Sequence, residues 1–204
     1  MTLERYEFDP DLRQAATPPA SWYLDPAVLK REKSAIFGST WQLVGHTDQV
    51  REPGDYFTCT VSDEPLVVAR GGDGVVRAFS NVCRHRAGPV ARGGGNRKSL
   101  QCAYHGWTYG MDGALLTTPE FEGVACFEKK DVRLPPVRVD TWAAFVFVNL
   151  SPAGPGLREV LGDIPAQTNH LSFDHLRLYK KIDYEVQCNW KVYVDNYLDG
   201  YHIP

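Results

Sequence analysis

Four residues of this chain stand out for the chemistry they could do together: Cys83 and His85 in Cys83-Arg84-His85, and Cys102 and His105 in Cys102-Ala103-Tyr104-His105. The pattern is C-x-H-x16-C-x2-H. Two thiolates and two imidazoles suit a [2Fe-2S] centre in which the cysteines take one iron and the histidines the other. Each short loop then offers one sulfur and one nitrogen. The same donors also suit tetrahedral zinc, but zinc fingers pair like with like, whereas here Cys and His alternate along the chain. The linking stretch, from Gly88-Pro89 to Gly93-Gly94-Gly95, is rich in residues that turn tightly and leave backbone N–H groups free to donate to sulfides. Gly106, directly after His105, lets the backbone approach closely.

A second set lies at the end of the chain. Trp190, Tyr193, Val194, Tyr197, Leu198 and Tyr201 recur with the spacing of an amphipathic helix, and Asp195, Asp199 and His202 fall together on another face. A carboxylate beside an imidazole fixes the tautomer of a metal-ligating histidine. Taken alone, the same pattern also describes a solvated polar face opposite a buried aromatic stripe.

The elements that position these residues change character along the chain. Asp25-Pro26 predicts a helix start, with Leu29, Ile36 and Phe37 inward and Gly38 at its end. From Trp41 onward short apolar runs are broken by turn residues. Strands are expected over Trp41 to Gly45, Tyr56 to Val61, Pro65 to Ala69, Val75 to Phe79, Gly106 to Tyr109 and Trp142 to Leu150. Gly71-Gly72-Asp73-Gly74 and Met111-Asp112-Gly113 read as turns. Trp41, Phe79 and Phe147 read as core. The Pro/Gly/Ser cluster from Ser151 to Gly156 reads as a domain boundary, followed by a helix candidate at Leu157 to Leu161 and a strand candidate from Leu176 to Val186. The expected class is α+β: an N-terminal segment with a helix (1–39), an all-β module with the two ligand loops at one end (40–150), and the start of an α+β domain (151–204).

Composition excludes more than it identifies. A net charge of −3 and a pI near 6.1 leave no electrostatic footprint for nucleic acid, so Arg84, Arg86, Arg92, Arg97 and Lys98 read as local to the ligand loops. The longest apolar run, Trp142 to Val148, is strand-sized and too short for a membrane span, and the first residues lack a secretory pattern. Five cysteines without disulfide-framework spacing suit a reducing cytoplasm.

The flanks of the ligand pairs carry a resemblance. Asn81-Val82-Cys83-Arg84-His85-Arg86-Ala87-Gly88, followed by Cys102-Ala103-Tyr104-His105-Gly106-Trp107, resembles the Rieske domain of the ring-hydroxylating and related non-haem iron oxygenases, alpha subunit. The C-terminal run resembles that family's N-W-K … [DE]-N-x-x-[DE]-x-Y-H stretch, so the likeness covers essentially the whole chain. It implies that Cys83, His85, Cys102 and His105 hold a Rieske [2Fe-2S] cluster and that His202 is the first ligand of a mononuclear non-haem Fe(II). It also implies that Asp199 relays electrons from the Rieske histidine of a neighbouring subunit, with Asn196 near the iron. A second histidine and a later carboxylate complete the family's iron site. Both would lie past Pro204, so a whole Rieske domain and only the beginning of a catalytic domain are expected, inactive by itself.

Respiratory Rieske proteins carry an extra cysteine after each ligand pair. The comparable places here hold Ala, Gly, Gly and Trp, and Cys59, Cys126 and Cys188 lie outside the ligand loops. The resemblance further implies electrons from NAD(P)H through a separate reductase or ferredoxin, O2 and a small-molecule substrate, and a homotrimer. The run from Val194 to His202 looks more like the choline, carnitine and glycine-betaine oxygenases than the naphthalene-type dioxygenases. A rival reading, a stand-alone Rieske ferredoxin, explains the ligand pairs equally well. It leaves the chain after Ser151 and the Asp199/His202 face without a role.

Overall fold

A computed structural model describes residues 4–200, so Tyr201 and the expected iron ligand His202 lie outside the described residues. The chain divides into two compact units, Phe37–Lys180 and one made from the two ends of the chain, up to Ile36 and from Lys181. The larger unit thus continues past the Ser151 to Gly156 cluster.

In the unit built from the chain ends, α1 (Ser21–Leu24) leads into α2 (Pro26–Glu32), and α5, the last helix among the described residues, spans Trp190–Leu198. Asp25 caps α2 by accepting from the Ala27 N–H at 2.8 Å, with Pro26 in the first turn, as the sequence predicts. The inward side chain is Val28, however, while Ile36 is exposed on a π-helical turn over Lys33–Phe37 that rotates the expected stripe. Asn189 caps α5 by accepting from the Lys191 N–H. Helices α2 and α5 are joined through Glu32, which takes Lys191 Nζ at 2.7 and 2.8 Å and Trp190 Nε1 at 2.9 Å. Tyr23 adds a hydroxyl bond to Asp195 at 2.8 Å. Of the expected aromatic stripe of α5, Tyr193 and Tyr197 are exposed.

The larger unit is the β-module. Its strands are β1 (Gln42–His46), β2 (Asp55–Val61), β3 (Glu64–Arg70), β4 (Val76–Ser80), β5 (Gly94–Asn96), β6 (Ser99–Gln101), β7 (Thr108–Gly110), β8 (Leu115–Thr117), β9 (Pro136–Trp142) and β10 (Phe145–Asn149). Seven form a sheet in the order β1-β10-β9-β4-β3-β2-β5, and β6-β7-β8 form a second sheet. All pairings are antiparallel. The Gly71 to Gly74 hairpin joins β3 to β4 as expected, closed by the Gly71 N–H on Val75 O at 2.9 Å.

Strand β3 explains why the module has two cores. Leu66 and Val68 point into one with Val50, Phe57, Val61, Val146 and Val148; Val67 and Ala69 point into the other with Tyr56, Phe79, Leu100, Trp107 and Tyr109. A strand buried on both faces reads as a continuous apolar run, which is the pattern from Pro65 to Ala69. Phe79 is core as expected, whereas Trp41 and Phe147 are half-buried. Trp41 instead donates its indole N–H to Pro155 O at 3.2 Å and lies under the Arg138 guanidinium, which also collects the carbonyls of Ala153, Gly154 and Pro155.

Two strand expectations are corrected. The run from Trp142 to Leu150 is not one strand: the chain reverses at Ala143-Ala144, so Trp142 ends β9 and Phe145 begins β10, with the two residues paired. Ala143 sits at φ 50°, a conformation that its side chain does not favour and that apolar sequence does not announce. The strand candidate over residues 176–186, whose alternation is poor, forms no strand. Beyond β10, α3 (Leu157–Leu161) forms where expected and anchors through the buried Leu157, and α4 (Ile164–Thr168) follows.

Candidate metal centre

The two ligand loops are built alike. In the first, the Cys83 N–H donates to Gly88 O at 2.8 Å and the Ala87 N–H donates back to Cys83 O at 3.0 Å. In the second, the Cys102 N–H donates to Trp107 O at 2.9 Å and the Gly106 N–H donates back to Cys102 O at 3.0 Å. In both loops the residue four places after the cysteine has a left-handed backbone, Ala87 at φ 56° and Gly106 at φ 73°. Each loop is thus a closed turn with its cysteine at the root and its histidine at the tip.

The roots are buried and the tips are not. Cys83 and Cys102 are 3% and 2% exposed and belong to the core that holds Phe79 and Tyr109, while His105 is exposed and His85 is half-buried. The imidazoles of His85 and His105 meet edge to face, with centroids 4.6 Å apart. The Trp107 ring lies parallel to His85 at 4.9 Å and fixes its plane, and Phe121 and Phe127 pack around Trp107. Partial burial and the neighbouring His105 and Arg86 hold the His85 imidazole below its usual pKa range, which favours the neutral form that a metal ligand needs.

Gly88 shows how closely the loops approach. A side chain there would place its first carbon 3.0 Å from the Cys102 sulfur, so the first loop passes directly over the thiol of the second. His85 Nδ1 is buried and has no hydrogen-bond partner, an arrangement that costs about 1–3 kcal/mol unless the atom serves another purpose. A metal bond is such a purpose. Among the described residues no group of three or more His, Cys, Asp or Glu side chains is gathered about a single point. Two buried thiols and two adjoining imidazoles, one with an unpaired nitrogen, fit a two-iron group with a pair of ligands on each iron.

Sequence reasoning missed two residues. Tyr109, fully buried on β7, places its hydroxyl 3.3 Å from Cys83 Sγ and accepts the Arg84 N–H at 3.0 Å. Burial, then the Cys83 thiol, push that hydroxyl's pKa well above the usual tyrosine value, so it stays protonated. Asn81, buried just before the first loop, bonds only to backbone. Its place in the motif is visible in sequence; its partners are nine and ten residues away and are not.

The remaining expected site residues belong to the unit built from the chain ends. Asn196 is an exposed residue of α5, and Asp199 is the residue that ends it, its N–H donating to Asp195 O at 2.9 Å. Cys59, Cys126 and Cys188 form no disulfide, and Cys126 and Cys188 are exposed. Among the described residues no helix is long and apolar enough to cross a membrane.

Comparison with known proteins adds a family context. The family model "Rieske [2Fe-2S] domain" matches residues 40–128, and "Ring hydroxylating alpha subunit (catalytic domain)" matches residues 173–204. The chloroplastic choline monooxygenase of Arabidopsis thaliana is 38% identical over 212 residues, covering 97% of this chain and 50% of that protein. The carnitine monooxygenase oxygenase subunit of Acinetobacter pittii (strain PHEA-2) is 36% identical over 197 residues, covering 95% and 53%. The crystal structure of the apo form of the quaternary ammonium Rieske monooxygenase CntA superposes with a TM-score of 0.87 at 35% identity, over 92% of this chain and 56% of that one. The chain spans about half the length of the curated relatives it matches.

Proposed function

Since the chain belongs to the Rieske non-haem iron oxygenases, we propose that it supplies the electron-transfer centre and the threshold of the catalytic domain of an enzyme that oxidises a quaternary amine. The single observation that carries the reading of the centre is the pair of closed loops, with buried thiols at their roots and adjoining imidazoles at their tips. When bound, the [2Fe-2S] cluster supplies one-electron transfer and the mononuclear iron supplies O2 activation.

The chain's own residues do the rest. Cys83 and Cys102 offer sulfur from a dry core, and His85 and His105 offer nitrogen at the rim. Trp107 holds the His85 ring in place by stacking. Tyr109, already accepting the Arg84 N–H, has its own proton free to donate to the Cys83 sulfur. Asp199 would serve as the electron relay, His202 would be the first ligand of the iron, and Asn196 would be the asparagine near it. The natural donor is an NAD(P)H-dependent reductase or its ferredoxin, and the working enzyme is a cytoplasmic homotrimer.

Choline, carnitine and glycine betaine are the first substrates to test, because the names of the relatives above point to quaternary amines rather than to aromatic rings. Anaerobic reconstitution of this chain with iron and sulfide should give the absorption and EPR signature of a Rieske cluster, absent in Cys83→Ala and Cys102→Ala. The full-length enzyme, supplied with a reductase, should couple O2 uptake to oxidation of one of these amines. A reconstituted chain with no such signature would overturn the reading of the centre, and uptake only with aromatic substrates would overturn the substrate class.

A further inference from the structure

The two ligand loops close in the same way but are held from outside in different ways. The second is flanked by paired strands: Gln101, at the end of β6, sits opposite Thr108, at the start of β7, so the ladder on either side clamps Cys102 and His105. The first has no such clamp. Strand β4 ends at Ser80, the chain returns through Pro89, and the next strand, β5, starts only at Gly94. Val82 and Pro89 make a lone bridge, and proline has no N–H with which to extend it.

A single side chain stands where the missing ladder would be. Asn81 is 6% exposed. Its carboxamide oxygen accepts the N–H groups of Val90 at 3.1 Å and Ala91 at 2.9 Å, and its NH2 donates to Ala91 O at 2.9 Å. Its own backbone N–H donates to Pro65 O on β3 at 2.8 Å. These partners fix the amide in one orientation, because two N–H groups must face an acceptor and one carbonyl must face a donor. Asn81 therefore ties both ends of the first loop to each other and to the sheet.

On the reading of this loop as half of the Rieske centre, we infer that Asn81 is a positioning residue for that centre: its carboxamide holds the loop carrying Cys83 and His85 closed before iron arrives. It does for the first loop what the β6–β7 ladder does for the second. Aspartate at this position would keep the oxygen that accepts from Val90 and Ala91 and lose the donor to Ala91 O. Alanine would lose all three bonds.

The test uses the 204-residue chain as wild type, Asn81→Ala and Asn81→Asp, each measured without metal and after anaerobic loading. In the metal-free wild type the Val90 and Ala91 amides should exchange slowly. Asn81→Ala should speed their exchange at least tenfold, shift or broaden the cluster's EPR signal and shorten its half-life severalfold, and Asn81→Asp, which keeps the acceptor but sets its second oxygen against Ala91 O, should restore only part of the protection. An alanine variant with lower melting temperature but wild-type EPR signal and half-life would overturn the proposal, since the residue would then serve stability alone. If the alanine variant does not fold, the aspartate variant decides. Protection kept in part at Val90 and Ala91 supports the inference, and protection lost with an unchanged cluster spectrum overturns it. A wild-type chain that loads no Rieske cluster counts against the proposed function instead, because the amide exchange of the metal-free chain is read independently.

Discussion

The hydroxyl of Tyr109 lies 3.3 Å from the sulfur of Cys83 and accepts the Arg84 N–H at 3.0 Å, so with a thiolate at Cys83 the hydroxyl is the donor of that pair. A thiolate on iron can only accept, and it gains negative charge when the centre is reduced. The bond therefore strengthens on reduction and raises the potential. Tyr109→Phe should leave the cluster assembled and lower its potential; a difference of about 1 kcal/mol between the two oxidation states corresponds to roughly 40 mV. Redox titration followed by EPR measures this, and an unchanged potential would remove Tyr109 from the centre's electronics.

Ala87 occupies the left-handed seat that Gly106 fills in the second loop. An alanine there costs about 1–2 kcal/mol of local strain, partly offset by the lower chain entropy that it brings to the unfolded state. Ala87→Gly should stabilise the chain by about 0.5 kcal/mol. Chemical denaturation would show it, and a loss of stability would mean that the methyl group makes contacts worth more than the strain.

Glu32 receives the indole N–H of Trp190 and the ammonium of Lys191, both side chains of that ion pair being 13–15% exposed. Glu32→Ala takes the shared acceptor from an indole N–H and an ammonium in a poorly solvated place, a loss of about 1–3 kcal/mol in the anchoring of α5. Amide exchange along Trp190–Leu198 should accelerate while β3 exchanges as before. Uniform acceleration through both elements would show that the pair supports the whole chain instead.

Asp48 links Arg51 to the backbone of Leu178, whose N–H it accepts at 2.9 Å. The Arg51 guanidinium, then that N–H, hold its carboxyl below the ordinary value of 3.8. A depressed carboxyl contributes stability that is complete above the unfolded value and is lost as pH falls through the folded one. Protection of the Leu178 amide should therefore hold at neutral pH and fade only below pH 3.8. In Asp48→Ala it should be low throughout, and a wild-type profile in that variant would place the anchor elsewhere.

In a full-length protein, Asp199→Asn should leave both metal sites occupied and stop turnover coupled to substrate oxidation. Iron content and single-turnover kinetics separate these outcomes. Turnover at the wild-type rate would end the assignment of Asp199 as the relay.

What could be read from the sequence follows from how local each signal is. The two Cys/His loops, the Asp25 cap and the Gly71 to Gly74 hairpin are written within a few residues of where they form, and the structure builds each as a local element. The reversal at Ala143-Ala144 escaped because it uses neither glycine nor asparagine, so seven apolar residues from Trp142 to Val148 looked like one strand. Strands β5, β6 and β8 are three residues each, too short for any period to register. Tyr109 and Asn81 escaped for another reason. Their importance lies in what they touch, and those partners are set by the folded path of the loops rather than by neighbours in the chain.

Strand β3 has a consequence beyond filling two cores. In most half-buried strands, a slip of one residue against a neighbour trades an apolar face for a polar one and is penalised on one side only. A slip of β3 would exchange Leu66 and Val68 for Val67 and Ala69, overfilling one core while leaving voids in the other. Its alignment is thus doubly locked. Because Asn81 hangs from Pro65 on that strand, the first ligand loop inherits the lock, and the location of the metal centre is fixed by a strand that carries none of its ligands.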